Sequence, residues 1–182
     1  NLLDKKYKKY YYNLYSINLS NNDLNGTINL KLFPPNINKI NLSNNNLSSI
    51  HLSKYKKIDL LMFDTIDLTN NQITGEIDFS IFPININNIY LGHNIIDRIK
   101  NLKSLEKLNT IDLSNNQIKG EIDFSIFPIN INNIYLGHNI IDRIKNLKSL
   151  EKLNTIDLSN NQIKGEIDFS IFPININNIY LG

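Results

Sequence analysis

The sequence predicts a strand-rich α/β fold in which short parallel strands stack into a right-handed solenoid with little α-helix. Two observations predict it: one spacing of apolar residues and asparagine recurs along the chain, and each recurrence opens with alternating apolar and polar residues. A single short strand cannot bury its apolar face, whereas strands stacked about 4.8 Å apart bury one continuous core. The connections must cross behind the sheet, and the right-handed crossover is strongly favoured.

The recurring spacing is represented by Leu108-x-x-Ile111-x-Leu113-x-x-Asn116-x-Ile118. Ile111 and Leu113 alternate with polar neighbours, as in a half-buried strand. Full copies start at residues 14, 37, 63, 86, 108, 131 and 153, and a partial copy starts at 176. We therefore assign residues 14–182 to repeats, and residues 1–13 to the tail of a preceding repeat or to the N-terminal edge.

The sequence also repeats with a longer period of 45 residues. Each 45-residue block consists of one 23-residue repeat and one 22-residue repeat, which we call its two halves. Residues 65–109 and 110–154 differ at two positions, and residues 155–182 repeat residues 110–137 without change. This near-identity has two explanations. Either a binding partner of the repeats is itself repetitive, or the duplication is too recent for a ligand to have shaped the sequence. We favour recent duplication, in which case much of the length is scaffold.

The spacing resembles that of the leucine-rich repeat family, L-x-x-L-x-L-x-x-N-x-L. The 23-residue half, with Gly120, resembles the plant-specific class, although Asp123 stands where that class has proline. The 22-residue half resembles the phosphatase-regulator class. Its period of three from Ile141 through Leu147 suits a 3₁₀ or short helical outer segment. The resemblance implies a curved parallel sheet on the concave face and a 3₁₀ or irregular convex side.

The recurring asparagine is flanked by apolar residues, which predicts that it is buried. A buried amide must be hydrogen-bonded, and backbone groups of the turning chain, above and below the amide, are the expected partners. We expect a structural asparagine ladder rather than a ligand site. Its members are Asn22, Asn45, Asn71, Asn94, Asn116, Asn139 and Asn161.

The variable strand positions should line the concave face and contact a partner. Tyr is a favoured interface residue because it brings a large contact area at low entropic cost. Asp112 stands where plant-class repeats often carry Asp, so its role can also be structural. The candidate partner-binding residues are Asp67, Tyr90, His93, Asp112, Tyr135, His138, Asp157 and Tyr180.

Composition and motifs argue against catalysis and cofactors. The chain has no Cys, which excludes disulfides, thiol nucleophiles and Cys-based zinc sites. We call each repeat, with its one inner strand, a rung of the solenoid. His93 and His138 are expected two rungs apart, at about 10 Å, which is too far for them to share one metal ion. No phosphate-binding loop, dinucleotide fingerprint or hydrolase signature is present. We expect a non-enzymatic scaffold that binds another protein, with no small-molecule substrate, cofactor or metal.

Two other functions stay open at this point. The chain starts at Asn1 and stops within a repeat, so it is expected to be a fragment, which could be the sensing part of a larger receptor or of a kinase-, ligase- or phosphatase-linked protein. Residues 1–62 carry nine Lys and three Asp, a charge of +6. Their Tyr-rich start, with Lys5, Lys6, Lys8 and Lys9, is a weaker candidate for nucleic-acid or membrane-surface contact.

The two halves of the block give opposite indications of compartment. The absence of Cys and the phosphatase-regulator-like half favour the cytoplasm. The plant-like half is more usual in receptor ectodomains. We expect a cytoplasmic protein, with the extracellular alternative left open.

Overall fold

The computed structural model describes residues 13–51, 60, 62–165 and 168–182. The basic start of the chain, including Lys5 to Lys9, lies outside these residues, as does most of the segment 52–61. Fourteen short strands are present in the described chain. They are β1 (Ser16–Asn18), β2 (Asn25–Asn29), β3 (Lys39–Asn41), β4 (Asn46–His51), β5 (Thr65–Asp67), β6 (Thr74–Asp78), β7 (Asn88–Tyr90), β8 (Ile95–Lys100), β9 (Thr110–Asp112), β10 (Lys119–Asp123), β11 (Asn133–Tyr135), β12 (Ile140–Lys145), β13 (Thr155–Asp157) and β14 (Asn178–Tyr180).

Eight strands of three residues each form one parallel sheet in the order β1, β3, β5, β7, β9, β11, β13, β14. The middle residue of every strand is Ile, and these residues stand in register, as Ile111 does with Ile134. Both are fully buried, together with Leu113 and Leu136 two residues later. The predicted stack of short parallel strands over one continuous apolar core is therefore confirmed.

The opposite side of the solenoid consists of three separate two-stranded parallel sheets, β2–β4, β6–β8 and β10–β12. Short 3₁₀ turns complete it in the described residues. They are Leu30–Leu32, Phe79–Ile81, Leu102–Ser104, Phe124–Ile126, Leu147–Ser149 and Phe169–Ile171. The described chain contains no α-helix, and none of its helical turns has the length and apolar character needed to cross a bilayer. The prediction of little helix is confirmed.

The 23-residue half turns at Gly120, whose φ of +77° is a left-handed conformation that glycine adopts without strain. The register of the β10–β12 pair shifts between Gly120 and Glu121, so the following residues turn toward the core. Ile122, Phe124 and Phe127 are buried. Phe124 and Phe127 pack with ring centroids 5.2 Å apart.

The 22-residue half differs from the expected 3₁₀ or helical outer segment. Residues Ile140–Lys145 form a six-residue strand, and a 3₁₀ turn follows only at Leu147–Ser149. The strand forms because the exposed edge of β10 supplies backbone partners, and Ile is a favourable residue for an extended chain. The spacing of three still describes which residues face inward, since Ile141 and Leu147 are buried and Ile144 is half-buried.

Candidate functional site

The core covers one side of the eight-stranded sheet and leaves the other side open. The open side presents the first and third residues of each inner strand, together with the residue that lies three positions after the strand. We call this surface the concave face. Its side chains stand on strands that are hydrogen-bonded to their neighbours in register, so their spacing is set by the sheet.

The third strand residues form a continuous column across the concave face. Adjacent members are directly paired in the sheet, from Asp67 and Tyr90 to Asp157 and Tyr180. Tyr and Asp therefore alternate one rung apart. In order, the column reads Asn18, Asn41, Asp67, Tyr90, Asp112, Tyr135, Asp157 and Tyr180.

One oxygen of each aspartate in the column is used by the turn that follows its strand. Asp112 Oδ1 accepts from the backbone N–H of Ser114 at 2.9 Å and from its hydroxyl at 2.7 Å. Asp157 Oδ1 binds Ser159 in the same way. In the described chain the second oxygen, Oδ2, of Asp112 and of Asp157 has no hydrogen-bond donor. Each of the two carboxylates can therefore stabilise the turn and still accept a hydrogen bond from a ligand.

The tyrosines offer ring area and a free hydroxyl. Tyr90 and Tyr135 are half-buried and Tyr180 is exposed. No described residue is hydrogen-bonded to any of the three hydroxyls, so they remain open to solvent. Burial raises the pKa of Tyr90, and the negative charge of Asp67 adds to this effect. The hydroxyl is therefore a protonated donor at neutral pH.

Gly92 and Gly137 are buried on the rungs that carry tyrosine, and each leaves room for the aspartate of the next rung. A Cβ at Gly137 would stand 3.0 Å from Asp157 Oδ2 and 3.1 Å from its Cγ. A Cβ at Gly92 would stand 3.2 Å from Asp112 Oδ2. Each of these aspartates therefore fits because the preceding, tyrosine-bearing rung has a glycine at this position.

The second column of the concave face is set by backbone conformation, which the sequence reasoning missed. His93 and His138 have φ of 55° and 56°, in the left-handed region. Every other residue of this column has a similar φ, and all of them are Asn: Asn21, Asn44, Asn70, Asn115 and Asn160. Asn and His are enriched in this conformation. The signal was in the sequence, since one position accepts only these two residue types.

The predicted asparagine ladder is a chain of amide bridges between rungs. Asn116 Nδ2 donates to the carbonyls of Leu113 and Ser114 in its own rung and of Leu91 in the preceding rung. Its Oδ1 accepts from Ile96 N in the preceding rung at 3.0 Å. The partners thus lie in its own rung and the preceding rung, rather than above and below as expected.

The pattern repeats at the other members that have a described rung before them. Asn45, Asn71, Asn94 and Asn139 are buried and Asn161 is half-buried. In each of them the side-chain Nδ2 donates to a carbonyl of the preceding rung, and Oδ1 accepts from a backbone N–H of that rung. Asn22 is exposed, and among the described residues its amide bonds Leu19 and Ser20 of its own rung.

Charge is divided between the two sides of the solenoid. From Thr65 onward the charged residues of the concave face are Asp67, Asp112 and Asp157. The cations lie on the outer side, where Lys145 Nζ contacts Glu121 at 2.6 Å and Asp123 at 3.5 Å. Within the described ranges no group of three or more His, Asp or Glu residues could hold a metal ion. The face can therefore offer apolar rings, hydroxyls and separate carboxylates to a partner.

A family model described as Leucine Rich Repeat matches residues 107–128 and 152–174. Both matched segments begin in an outer turn and run through an inner strand. No curated protein matches the sequence closely enough to count as a relative.

Several solved structures superimpose on most of the chain. The APL1 leucine-rich repeat domain aligns with a TM-score of 0.73 at 18% identity, over 97% of this chain and 52% of its own. A plant peptide hormone receptor, RGFR1 in complex with RGF2, aligns with a TM-score of 0.68 at 19% identity, over 93% of this chain and 32% of its own.

A bacterial structure gives a similar result. An internalin, InlF from Listeria monocytogenes, aligns with a TM-score of 0.64 at 20% identity, over 98% of this chain and 57% of its own. Across the three structures this chain spans between 32% and 57% of the other chain's length. At this level of identity the likeness shows the fold.

Proposed function

The chain is a leucine-rich repeat protein, and from that premise we propose that it binds another protein on its concave face without catalysing a reaction. Solenoids of this kind present extended concave surfaces that are used for binding. The observation that carries the proposal is the column of alternating Tyr and Asp from Asp67 to Tyr180. Its side chains are half-buried, except that of Tyr180, which is exposed.

The mechanism is the rigid presentation of a preformed surface. Asp112 is held by Ser114, and the strand beneath it is paired on both sides by β7 and β11. A tyrosine side chain has few torsions to fix, so little conformational entropy is lost on binding. Affinity then depends on the ring area and on the carboxylates rather than on folding of the site.

A pull-down with the full-length protein, followed by affinity measurement with the captured partner, tests this proposal. The variant Tyr90→Ala/Tyr135→Ala should weaken binding at least about tenfold, the scale expected when interface anchors are truncated. The thermal unfolding midpoint should change little, because both side chains stand on the open side of the sheet.

The matched control is Lys103→Ala/Lys148→Ala. These exposed residues are also 45 positions apart, and they lie in the outer 3₁₀ turns. Binding should be unchanged in this variant. If the lysine variant loses the partner and the tyrosine variant keeps it, the binding surface is on the outer side and the proposal is wrong.

A second candidate function is ligand sensing within a larger receptor or enzyme-linked protein. It is supported by the structural similarity to a plant peptide hormone receptor. A receptor role predicts that the full-length protein has a membrane-spanning helix or a catalytic domain, and that ligand binding to the repeats changes its activity. Full-length sequencing and an activity assay with and without partner test it.

Nucleic-acid or membrane-surface contact through the N-terminal segment stays a prediction, because Lys5, Lys6, Lys8 and Lys9 lie outside the described residues. Binding to RNA or to anionic vesicles at physiological salt should be lost when these four residues are changed to Ala. A cytoplasmic location likewise remains our proposal. Cell fractionation of the full-length protein tests it, and recovery in the secreted fraction would contradict it.

A further inference from the structure

The tyrosines of the concave face repeat every second rung. Tyr90, Tyr135 and Tyr180 occupy the same register position, and one Asp rung separates each from the next. Neighbouring strands are about 4.8 Å apart, so the Tyr–Tyr interval along the solenoid is about 9.6 Å. Asp112 and Asp157 repeat at the same interval, displaced by one rung.

The ligand-facing atoms repeat with the same period. Tyr hydroxyls offer hydrogen-bond donors, and Oδ2 of Asp112 and of Asp157 offers an acceptor with a negative charge. From Thr65 onward no Lys or Arg stands on this face, so the carboxylates are not neutralised within it. Charge complementarity therefore favours a ligand that places a cation at intervals of about 9.6 Å, since the strands are about 4.8 Å apart.

Among regular peptide conformations, the polyproline II helix matches this interval. It rises about 3.1 Å per residue with three residues per turn, so residues three apart lie on one face about 9.3 Å apart. In a β-strand, residues on one face recur at about 6.7 Å. In an α-helix, residues seven apart recur on one face at about 10.5 Å. Over the two intervals from Tyr90 to Tyr180 the mismatch is about 0.6 Å for polyproline II and about 1.8 Å for the α-helix.

We propose that the concave face takes a cationic, proline-rich segment of a partner protein, in polyproline II conformation, with Lys or Arg at every third position. The proposal rests on the concave-face binding proposed above and names its partner class. The segment lies across the strands, along the column. Its cations contact Asp112 and Asp157, and its prolines pack on the rings of the flanking tyrosines.

The polyproline II backbone suits the tyrosine hydroxyls as well. It forms no internal hydrogen bonds, so its carbonyls are free to accept from Tyr90 and Tyr135. Aromatic-lined grooves recognise such segments because the peptide is already ordered and little entropy is lost. The repetition of the face, which the sequence alone attributes to recent duplication, then permits binding in several registers.

Synthetic peptides test the proposal without knowledge of the natural partner. The probe is a fluorescent peptide of four Pro-Pro-Lys triplets, titrated with the protein at low ionic strength. One control has the same composition with irregular lysine spacing, and another has Glu in place of Lys. The triplet peptide should bind at least about tenfold more tightly than either control, and its affinity should fall as salt is added.

Variants of the protein locate the site. Asp112→Asn/Asp157→Asn removes the charge but keeps the oxygen that accepts from the turn, as Asn41 does naturally with Ser43. This variant should fold normally and lose about tenfold in affinity for the triplet peptide. Glu106→Gln/Glu151→Gln removes two charges from exposed positions on the outer side, and it should bind as the wild type does.

The proposal is overturned if the triplet peptide does not bind, or if the irregular peptide or the Glu peptide binds as tightly as the triplet peptide or more tightly. An equal loss of affinity in the aspartate and glutamate variants would overturn it as well. If the natural partner is lost with Tyr90→Ala/Tyr135→Ala while the triplet peptide does not bind, concave-face binding stands and the partner class is wrong. If the triplet peptide binds as expected and a captured partner is insensitive to the tyrosine variant, the peptide surface stands and the natural interface is elsewhere.

Discussion

Asn115 and Asn116 are adjacent in the sequence, but different physical constraints require asparagine at the two positions. Asn115 has a φ of 53°, so its position selects residues that tolerate the left-handed conformation. Asn116 is buried, and its amide bonds both its own rung and the preceding one. A substitution at the first residue strains the backbone, whereas a substitution at the second removes hydrogen bonds between rungs.

Asn116→Ala should lower the free energy of unfolding by about 1 to 3 kcal/mol, because Ile96 N and the carbonyls of Leu91 and Leu113 lose a buried partner. Urea denaturation followed by circular dichroism measures it. Asn132→Ala is the control, since in the described chain its side chain donates to Asn130 O of its own rung and to no other rung. A loss at Asn132 as large as that at Asn116 would show that the bridges between rungs are not the source of stability.

Gly137→Ala should also destabilise the fold, by about 1 to 3 kcal/mol, because the new Cβ meets the carboxylate of Asp157 at 3.0 Å. The matched control is Gly137→Ala made in the Asp157→Ala variant, which lacks the carboxylate that the new Cβ would meet. Gly137→Ala should cost less in that background than in the wild type. Thermal unfolding compares the two backgrounds, and an equal loss in both would refute the interlock of glycine and aspartate.

The role of a residue could be predicted at positions that carry the same type of residue in every repeat and are flanked by apolar residues. The inward Ile111 and Leu113 and the bridging Asn116 follow from the alternating pattern and from the cost of an unpaired buried amide. The left-handed conformation of His93 was missed, because it follows from the two residue types, Asn and His, that recur at this position along the chain rather than from the chemistry of one side chain. Whether the tyrosine column contacts a partner stays a prediction.

At the scale of elements, each outer 3₁₀ turn in a 23-residue half is capped by the residue before it. Asp123 Oδ1 accepts from Ser125 N at 2.9 Å, and Asn146 of the next rung donates to the same oxygen. The hydrogen bond from Asn146, followed by those from Ser125, holds the pKa of Asp123 far below its usual range. Asn29 caps the first such turn in the same way with an uncharged amide.

This capping predicts an acid sensitivity. The folded-state pKa of Asp123 lies below the unfolded value of about 3.9, so its contribution to stability is present above that pH and is lost as the pH falls through the folded value. Burial raises the pKa of Asp78, but hydrogen bonds from Ser80 and Asn101 outweigh this effect. The pKa of Asp78 therefore also lies below its ordinary value. The urea midpoint of the wild type should therefore fall below about pH 4.

The variant Asp78→Asn/Asp123→Asn tests the source of this acid sensitivity. Asn keeps the capping oxygen, as at Asn29, but does not titrate. The fall of the urea midpoint between neutral and acid pH should be shallower than in the wild type. An unchanged pH profile would mean that other carboxylates cause the acid sensitivity.

The outer strands show where pattern reasoning fails for elements. The spacing of Ile141 and Leu147 correctly indicates inward-facing residues, but a period of three does not distinguish a 3₁₀ segment from a strand that is followed by a turn. The choice depends on β10, whose free edge lies one rung away and pairs with Ile140–Lys145. That partner is a tertiary feature, so the sequence of the segment alone does not contain it.

At the scale of the whole molecule, the two sides of the solenoid have different periods. The inner sheet continues through all eight strands with a period of one rung, whereas the outer strands pair only within each block of two rungs. The structural unit is therefore the 45-residue block of the sequence. Stability in such a stack comes from contacts between neighbouring units, which leaves the open side of the sheet free for a partner.

Hydroxyl-radical footprinting of the complex with a captured partner tests concave-face binding most directly, because it reports on side chains of both surfaces in one experiment. Tyr90, Tyr135 and Tyr180 should become protected, while Ile84 and Ile129, which are 45% and 63% exposed away from the concave face, should react as in the free protein. Protection of Ile84 or Ile129 with unchanged reactivity of the three tyrosines would contradict binding on the concave face.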